Sequence, residues 1–205
     1  RMHTWGAEKL KALEQADICG YVFKTKSPSS GMSRIKVYND KGMPRHDGTG
    51  LWARMVMERF PHLPFEDDGR LHDPRLRENF ISRIFTLKRW RDAMAKGCTP
   101  GSVVEFHTRH KMLIMSHSVE LYRKMGTLTA SAGSSDIQSL ANEYFALLFK
   151  ALAYKHTVKK NVNVLMHAVG YFKKDITSSE KKELLDLIHK YKDQVIPLIV
   201  PITMI

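Results

Sequence analysis

The stretch KGCTPGS, residues 96–102, divides the chain by the period of its apolar residues. Beyond it every apolar pattern has helical spacing. Ile137, Leu140, Tyr144, Leu147, Leu148 and Ala151 form one stripe, and Val158, Val162, Leu165, Val169 and Phe172 form another. Thr177 and Glu180 stand at the spacing of a capping box, opening a helix with Leu184, Ile188 and Tyr191 on its inner face. Before the divide, the short apolar runs ICGYVF and IKVY predict strands over residues 18–24 and 34–38, among helices over 6–16 and 51–60. Asp73 followed by Pro74 marks another helix start, and Leu76, Phe80, Ile84 and Leu87 keep one face of that helix apolar towards Gly97. The fold class that follows is α+β. A partial α/β domain of few strands plus helices, residues 1–97, precedes an all-α helical domain, residues 98–205.

Two segments read as irregular. NDKGMPRHDGTG, residues 39–50, is dense in Gly, Pro, Asn and Asp and predicts a long connection. VIPLIVPITMI, residues 195–205, holds two prolines that oppose a regular helix and predict an extended apolar tail.

With 43% hydrophobic and 26% charged residues, the chain has the composition of a globular protein. No run of about 18 apolar residues exists, so no membrane partner is expected. RMHTWGAEKL lacks the apolar core of a signal peptide, which makes the cytoplasm the expected compartment. Cys19 and Cys98 form no C-x-x-C pair and fit that reducing compartment, with Cys19 read as a small core residue. The net charge is +12, and both halves share it: 19 Lys/Arg against 12 Asp/Glu in residues 1–97, then 14 against 9. Such a chain is drawn to polyanions, or simply presents a basic, inert surface.

The loop KTKSPSSGMSR, residues 24–34, joins the two predicted strands. It has no G-x-x-x-x-G-K-[ST] pattern and is no P-loop. Backbone amides near Gly31, beside Lys24 and Lys26, could form an anion nest; a Ser/Pro/Gly turn is the commoner outcome.

ICGYVFKTKSPSSGMSRIKVYNDKG and GTGLWARMVMERFPHLPFEDDGRLHDPRLRENFISRIF resemble the C-terminal part of a thiouracil desulfidase (TudS-like) domain. FHTRHKMLIMSHSVELYRKMG, LMHAVGYFKK and IPLIVPITMI resemble the YbgA-type helical domain of unknown function often fused behind it. The resemblance implies a four-iron, four-sulfur cluster on three cysteines, whose open iron takes the sulfur of a thiolated pyrimidine. In that family the loop reads Ser-Pro-Ser-Cys-Gly and its cysteine is a cluster ligand. Here Ser27, Ser29, Ser30 and Gly31 form the loop, and Ser30 stands where the cysteine would be. A serine hydroxyl is a poor substitute for a soft thiolate on iron. No cofactor is therefore expected in this chain; the cluster is implied only if upstream cysteines are present and residue 30 is Cys. Glu66, Asp67 and Asp68 also fall in the resemblance. Paired carboxylates can do acid/base work, but without a pocket in view a solvated acidic turn is the expectation.

In EFHTRHKMLIMSHS, helical projection puts His107, His110 and His117 on the face of Val103, Phe106, Leu113 and Ile114. Imidazoles on an apolar face need partners, which could be carbonyls, acids, a metal or a ligand. The segment is not H-E-x-x-H, and a structural network is expected ahead of a metal, for which these three are the candidates. In VNVLMHAVGYFKK and the residues before it, Lys160, Asn163, His167, Tyr171 and Lys174 share the face opposite the apolar stripe. Cations around a flat aromatic can grip phosphate and stack a base; a solvated basic face is the alternative. Lys24 and Lys111 join these as candidate ligand-binding residues.

The function expected is a basic module associated with a nucleotide or nucleic acid, on a desulfidase remnant whose cluster binding is lost or incomplete. Three alternatives stand beside it. The complete protein is an iron-sulfur desulfidase of thiolated pyrimidines, or the histidines form a metal-dependent enzyme, or the chain is a structural partner-binding domain, favoured if the tail is exposed. The expected partners are a nucleotide, a thiolated pyrimidine or nucleic acid, and a second copy of the chain.

Overall fold

In the computed structural model of the chain, which describes residues 2–205, the first unit (Arg1–Ala95) is organised around two short parallel strands. α1 (Met2–Gln15) leads into β1 (Tyr21–Phe23). The chain then passes through loop 24–34, the hairpin of β2 (Ile35–Tyr38) and β3 (Pro44–Gly48), and α2 (Leu51–Arg59), and returns as β4 (Phe65–Asp67). β4 lies parallel to β1, with Tyr21 opposite Phe65 and Phe23 opposite Asp67, a pairing that demands a long crossover. A 3-10 turn (Arg70–His72) leads into α3 (Pro74–Ala95), where Asp73 Oδ1 accepts from the Arg75 and Leu76 amides. Phe23, Trp52, Ala53 and Val56 form the core, with Leu10 and Leu13 of α1 packed on it. Trp52 is buried with its polar tip satisfied, because Nε1 donates to the Tyr21 hydroxyl at 2.9 Å.

The second unit (Lys96–Ile205) is helical. It comprises α4 (Pro100–His117), α5 (Val119–Ala130), α6 (Ile137–Ala153), α7 (Val158–Tyr171), α8 (Ser178–Lys192) and α9 (Ile199–Thr203). KGCTPGS proves to be a helix start. Thr99 Oγ1 accepts from the Ser102 amide at 3.1 Å, Ser102 Oγ accepts from the Thr99 amide at 2.9 Å, and Pro100 occupies the first helical position. Ser118 ends α4 and caps α5, its Oγ accepting from the Leu121 amide at 3.2 Å. Thr177 and Glu180 close the expected capping box on α8. Val103, Phe106, Ile114, Met125, Tyr144, Leu148 and Leu152 are buried among α4, α5 and α6, and Leu165, Val169, Leu184, Ile188 and Tyr191 form a cluster between α7 and α8. The chain is thus α+β, and among its described residues no helix is long and apolar enough to cross a membrane.

Five local expectations need correction. The first strand is shorter than 18–24, because Arg91 Nη1 takes the Asp17 and Ile18 carbonyls at 3.3 and 2.8 Å before a ladder can. Cys19 is half-buried beside that guanidinium, not in the core. The supposed connection 39–50 contains β3: Asn39 Oδ1 accepts from the Lys41 and Met43 amides and Gly42 adopts φ +73°, so its Asn and Gly build a hairpin turn. The acidic turn is β4, with Glu66 and Asp67 buried. The apolar tail contains α9, for Pro201 falls in the first turn, where a missing N–H costs no hydrogen bond. Val195, Ile199, Ile202 and Met204 remain exposed there.

Candidate functional site

Loop 24–31 leaves the C-terminal end of β1, and its first residues are tied to β4. Lys24 Nζ pairs with Asp68 Oδ2 at 2.6 Å, and the Thr25 amide donates to Asp68 Oδ1 at 2.8 Å. The Thr25 hydroxyl contacts the Asp67 and Asp68 carboxylates, and the Gly69 amide donates to Asp67 Oδ1 at 2.9 Å. The hydrogen bond from Lys24, then those from Thr25, hold the Asp68 carboxyl well below the usual range and raise the lysine. Lys24 is therefore committed to an acid. Glu66 accepts from Arg70 Nε at 2.6 Å, while Arg83 Nε is buried without a hydrogen-bond partner. Burial pulls the Arg83 guanidinium down and Glu66 partly offsets that.

The next residues are shaped by the start of α2. The Ser29 carbonyl accepts from the Trp52 and Ala53 amides at 2.8 and 3.3 Å, filling the role of a helix cap, and the Gly31 carbonyl accepts from Gly50 at 2.8 Å. A Cβ on Gly50 would collide with the Ser29 carbonyl, so only glycine permits this approach. Within the loop, Ser27 Oγ accepts from the Ser30 amide at 3.1 Å and lies 3.4 Å from Ser29 Oγ, and the Ser27 carbonyl accepts from Gly31 at 2.8 Å. The loop therefore holds its shape through backbone contacts and the Ser27 hydroxyl, none of which depends on the side chain at residue 30.

The donors present do not fit an iron-sulfur cluster. Residue 30 offers a hydroxyl, and Cys19 Sγ faces the Asp17 carbonyl and Arg91 at 3.7 and 3.6 Å. Cys98 belongs to the other unit. Among the described residues no three His, Cys, Asp or Glu side chains converge as a metal would require.

In the second unit the histidines of α4 go to separate partners. His107 Nδ1 lies 3.1 Å from the Tyr144 hydroxyl, with its ring parallel to Tyr122. Burial first, and Lys111 second, pull this imidazole below its ordinary value; burial raises the Tyr144 hydroxyl. His110 stacks on Phe106 and donates from Nδ1 to the Phe106 carbonyl at 2.9 Å. His117 donates from Nδ1 to the Tyr154 carbonyl at 2.5 Å. A carbonyl only accepts, so both of these histidines carry a proton on Nδ1.

The cationic face expected on α7 divides. Lys160 turns to the end of α4, donating to the His117 carbonyl at 2.6 Å and the Lys155 carbonyl at 3.4 Å, where a cation complements exposed helix carbonyls. Asn163 and His167 stay exposed on α7, and Lys174 lies beyond its end. Tyr171 is exposed and meets Lys111 of α4, whose Nζ stands 4.8 Å from the ring centroid. Sequence patterning overlooked the buried polar link of this unit: Asn161 Nδ2 bonds the Tyr191 hydroxyl at 2.9 Å and lies 3.2 Å from His156 Nδ1. The available signal was an amide beside the apolar stripe of Val158, Val162 and Leu165.

Fold and loop together define a two-part chain, a strand-and-loop segment followed by a helical domain. Residues 1–68 match the family described as 2-thiouracil desulfurase, and residues 111–205 match a protein of unknown function (DUF1722). Uncharacterized protein YbgA of Escherichia coli (strain K12) is 30% identical over 129 residues, which cover 62% of this chain and 76% of that protein. No solved structure matches the chain. The chain belongs to the YbgA-type family, with a desulfurase-related segment ahead of its DUF1722 domain.

Proposed function

We propose that this chain is a basic module that associates with nucleotides or nucleic acid, on a desulfurase-type fold that does not itself carry the family's cluster. The observation that carries the reading is the pairing of Lys111 with the exposed Tyr171 ring, on a chain of net charge +12. An exposed ring can stack on a base while the adjacent ammonium meets a phosphate. Fluorescence anisotropy of labelled single-stranded RNA and DNA, titrated at several salt concentrations, tests this. Binding that weakens steeply with salt supports it, and absence of salt-sensitive binding ends it.

A second reading is favoured by the loop geometry. Because the Ser27–Gly31 backbone is held by α2, a cysteine at position 30 would inherit a formed loop. On this reading the complete protein is a desulfidase of thiolated pyrimidines. Iron and acid-labile sulfide are measured in the complete gene product purified without oxygen, with Ser30 and with Ser30→Cys. A cluster in both forms supports desulfidase function, a cluster only with cysteine makes Ser30 the lesion, and none in either removes the reading.

The exposed apolar side chains at Val195, Ile199, Ile202 and Met204 favour a structural role through contact with a second copy. Sedimentation velocity decides that point: a concentration-dependent dimer lost in Ile199→Asp supports it, and a monomer at every concentration rejects it.

A further inference from the structure

We infer that the β2–β3 hairpin and the loop before it form a cavity for a nucleoside phosphate, either free or as one unit of a single strand. The inference rests on the nucleotide reading above and gives it a second location, independent of Lys111 and Tyr171. The cavity has a volume of about 600 Å³, within the usual range for small-molecule sites. Its walls carry Lys26, Arg34, Lys36 and His46, around Pro28, Ile35 and Tyr38, with no carboxylate among them.

Local structure explains why these groups converge. Within β2 (Ile35–Tyr38), Lys36 and Tyr38 alternate with Ile35, which is buried as the floor, and Arg34, just before the strand, lines the same cavity. The ladder slips between Ile35 and Val37: Ile35 faces Gly48 and Val37 faces Arg45, so Lys36 stands opposite both His46 and Asp47. Such a bulge re-aims side chains, and here His46 joins the cavity while Asp47 pairs with Arg45 at 2.6 Å. Asp47 is thereby engaged outside the lining of the cavity. Lys26 and Arg34 have φ of +58° and +57°, a left-handed backbone that L residues with long side chains seldom adopt.

Three cations and an imidazole line a site with no carboxylate in its lining, which favours an anion there. The guanidinium of Arg34 suits two phosphate oxygens at once, and lysines serve as point charges. The Tyr38 ring, 62% exposed, and Pro28 supply flat apolar surface that a bare phosphate would not use. The combination matches a phosphate joined to a planar ring.

Isothermal titration of the full chain with ADP, adenosine, inorganic phosphate and a ten-nucleotide single strand tests the site. ADP is expected to bind more tightly than adenosine or phosphate. The double substitution Arg34→Gln/Lys36→Gln weakens ADP by about 10-fold or more, whereas Lys181→Gln/Lys182→Gln, which removes equal charge from α8, does not. Tyr38→Ala lowers affinity for ADP but not for phosphate. Circular dichroism of each variant confirms that the fold is retained. If only the single strand binds and Arg34→Gln/Lys36→Gln abolishes it, the site stands and its ligand is a nucleic-acid unit. If ADP or strand binding is indifferent to Arg34→Gln/Lys36→Gln yet lost in Lys111→Gln/Tyr171→Ala, the cavity is overturned while the wider reading survives. Phosphate binding as tightly as ADP overturns the nucleoside part, and no binding by any probe overturns both.

Discussion

The Asn161 side-chain amide donates to the Tyr191 hydroxyl at 2.9 Å, and both residues are buried between α7 and α8. Removing one partner leaves a desolvated polar group behind. Asn161→Ala is expected to cost about 1–3 kcal/mol, and Tyr191→Phe about 1 kcal/mol, because His156 still lies within reach of the amide. Urea denaturation of the two single variants and the double variant checks the coupling, which should be non-additive.

Arg83 carries the opposite expectation. Its Nε is buried without a partner and burial disfavours its charge, so Arg83→Met should leave stability unchanged or raise it by about 1 kcal/mol. Glu66→Gln removes the counter-charge from Arg70 and should destabilise by about 2 kcal/mol. A calorimetric Tm that falls for Glu66→Gln and does not fall for Arg83→Met is the expected result.

The loop's dependence on α2 predicts a contrast between glycines. Gly50→Ala drives a Cβ into the Ser29 and Ser30 backbone and should cost about 1–3 kcal/mol. Gly133→Ala meets open space in a turn of the helical unit and should change stability by less than about 0.5 kcal/mol. Chemical denaturation separates the two.

Stability should fall on the acid side for two distinct reasons. The Asp68 carboxyl is held well below its ordinary value of 3.8, chiefly by Lys24, so its contribution is complete above that value and lost as pH drops below it. Asp68→Asn should flatten that limb. His107 is a base favoured in its neutral form by burial, so the unfolded chain binds its proton more readily. Its contribution is present above the ordinary value of 6.5 and fades as pH falls below it. His107→Gln should reduce the loss of urea midpoint between about pH 7 and pH 5.

The parts whose signals are local are legible in the chain's own residues. Thr177 and Glu180 start α8, and Asp73 with Pro74 starts α3, because caps are satisfied within one turn, whereas the Thr99, Pro100 and Ser102 start of α4 reads in the sequence only as a divide. The helical stripes of the second half follow from periodicity, and the α+β class from periodicity together with the resemblance. The resemblance of SPSSG to a cluster loop was also legible in a run of adjacent residues. What depends on distant partners emerges only in the folded chain. FED reads as an acidic turn until Phe65 pairs beside Tyr21, and its carboxylates tolerate burial only because Arg70 and Thr25 arrive to bond them. Lys160 reads as part of a basic face until the end of α4 presents its carbonyls, while Lys111 reaches the Tyr171 ring from another helix. The cationic cavity depends on a bulge in a hairpin that composition disguised as a connection. A single strand's alternation shows which side chains share a face, but only the fold determines what meets them there.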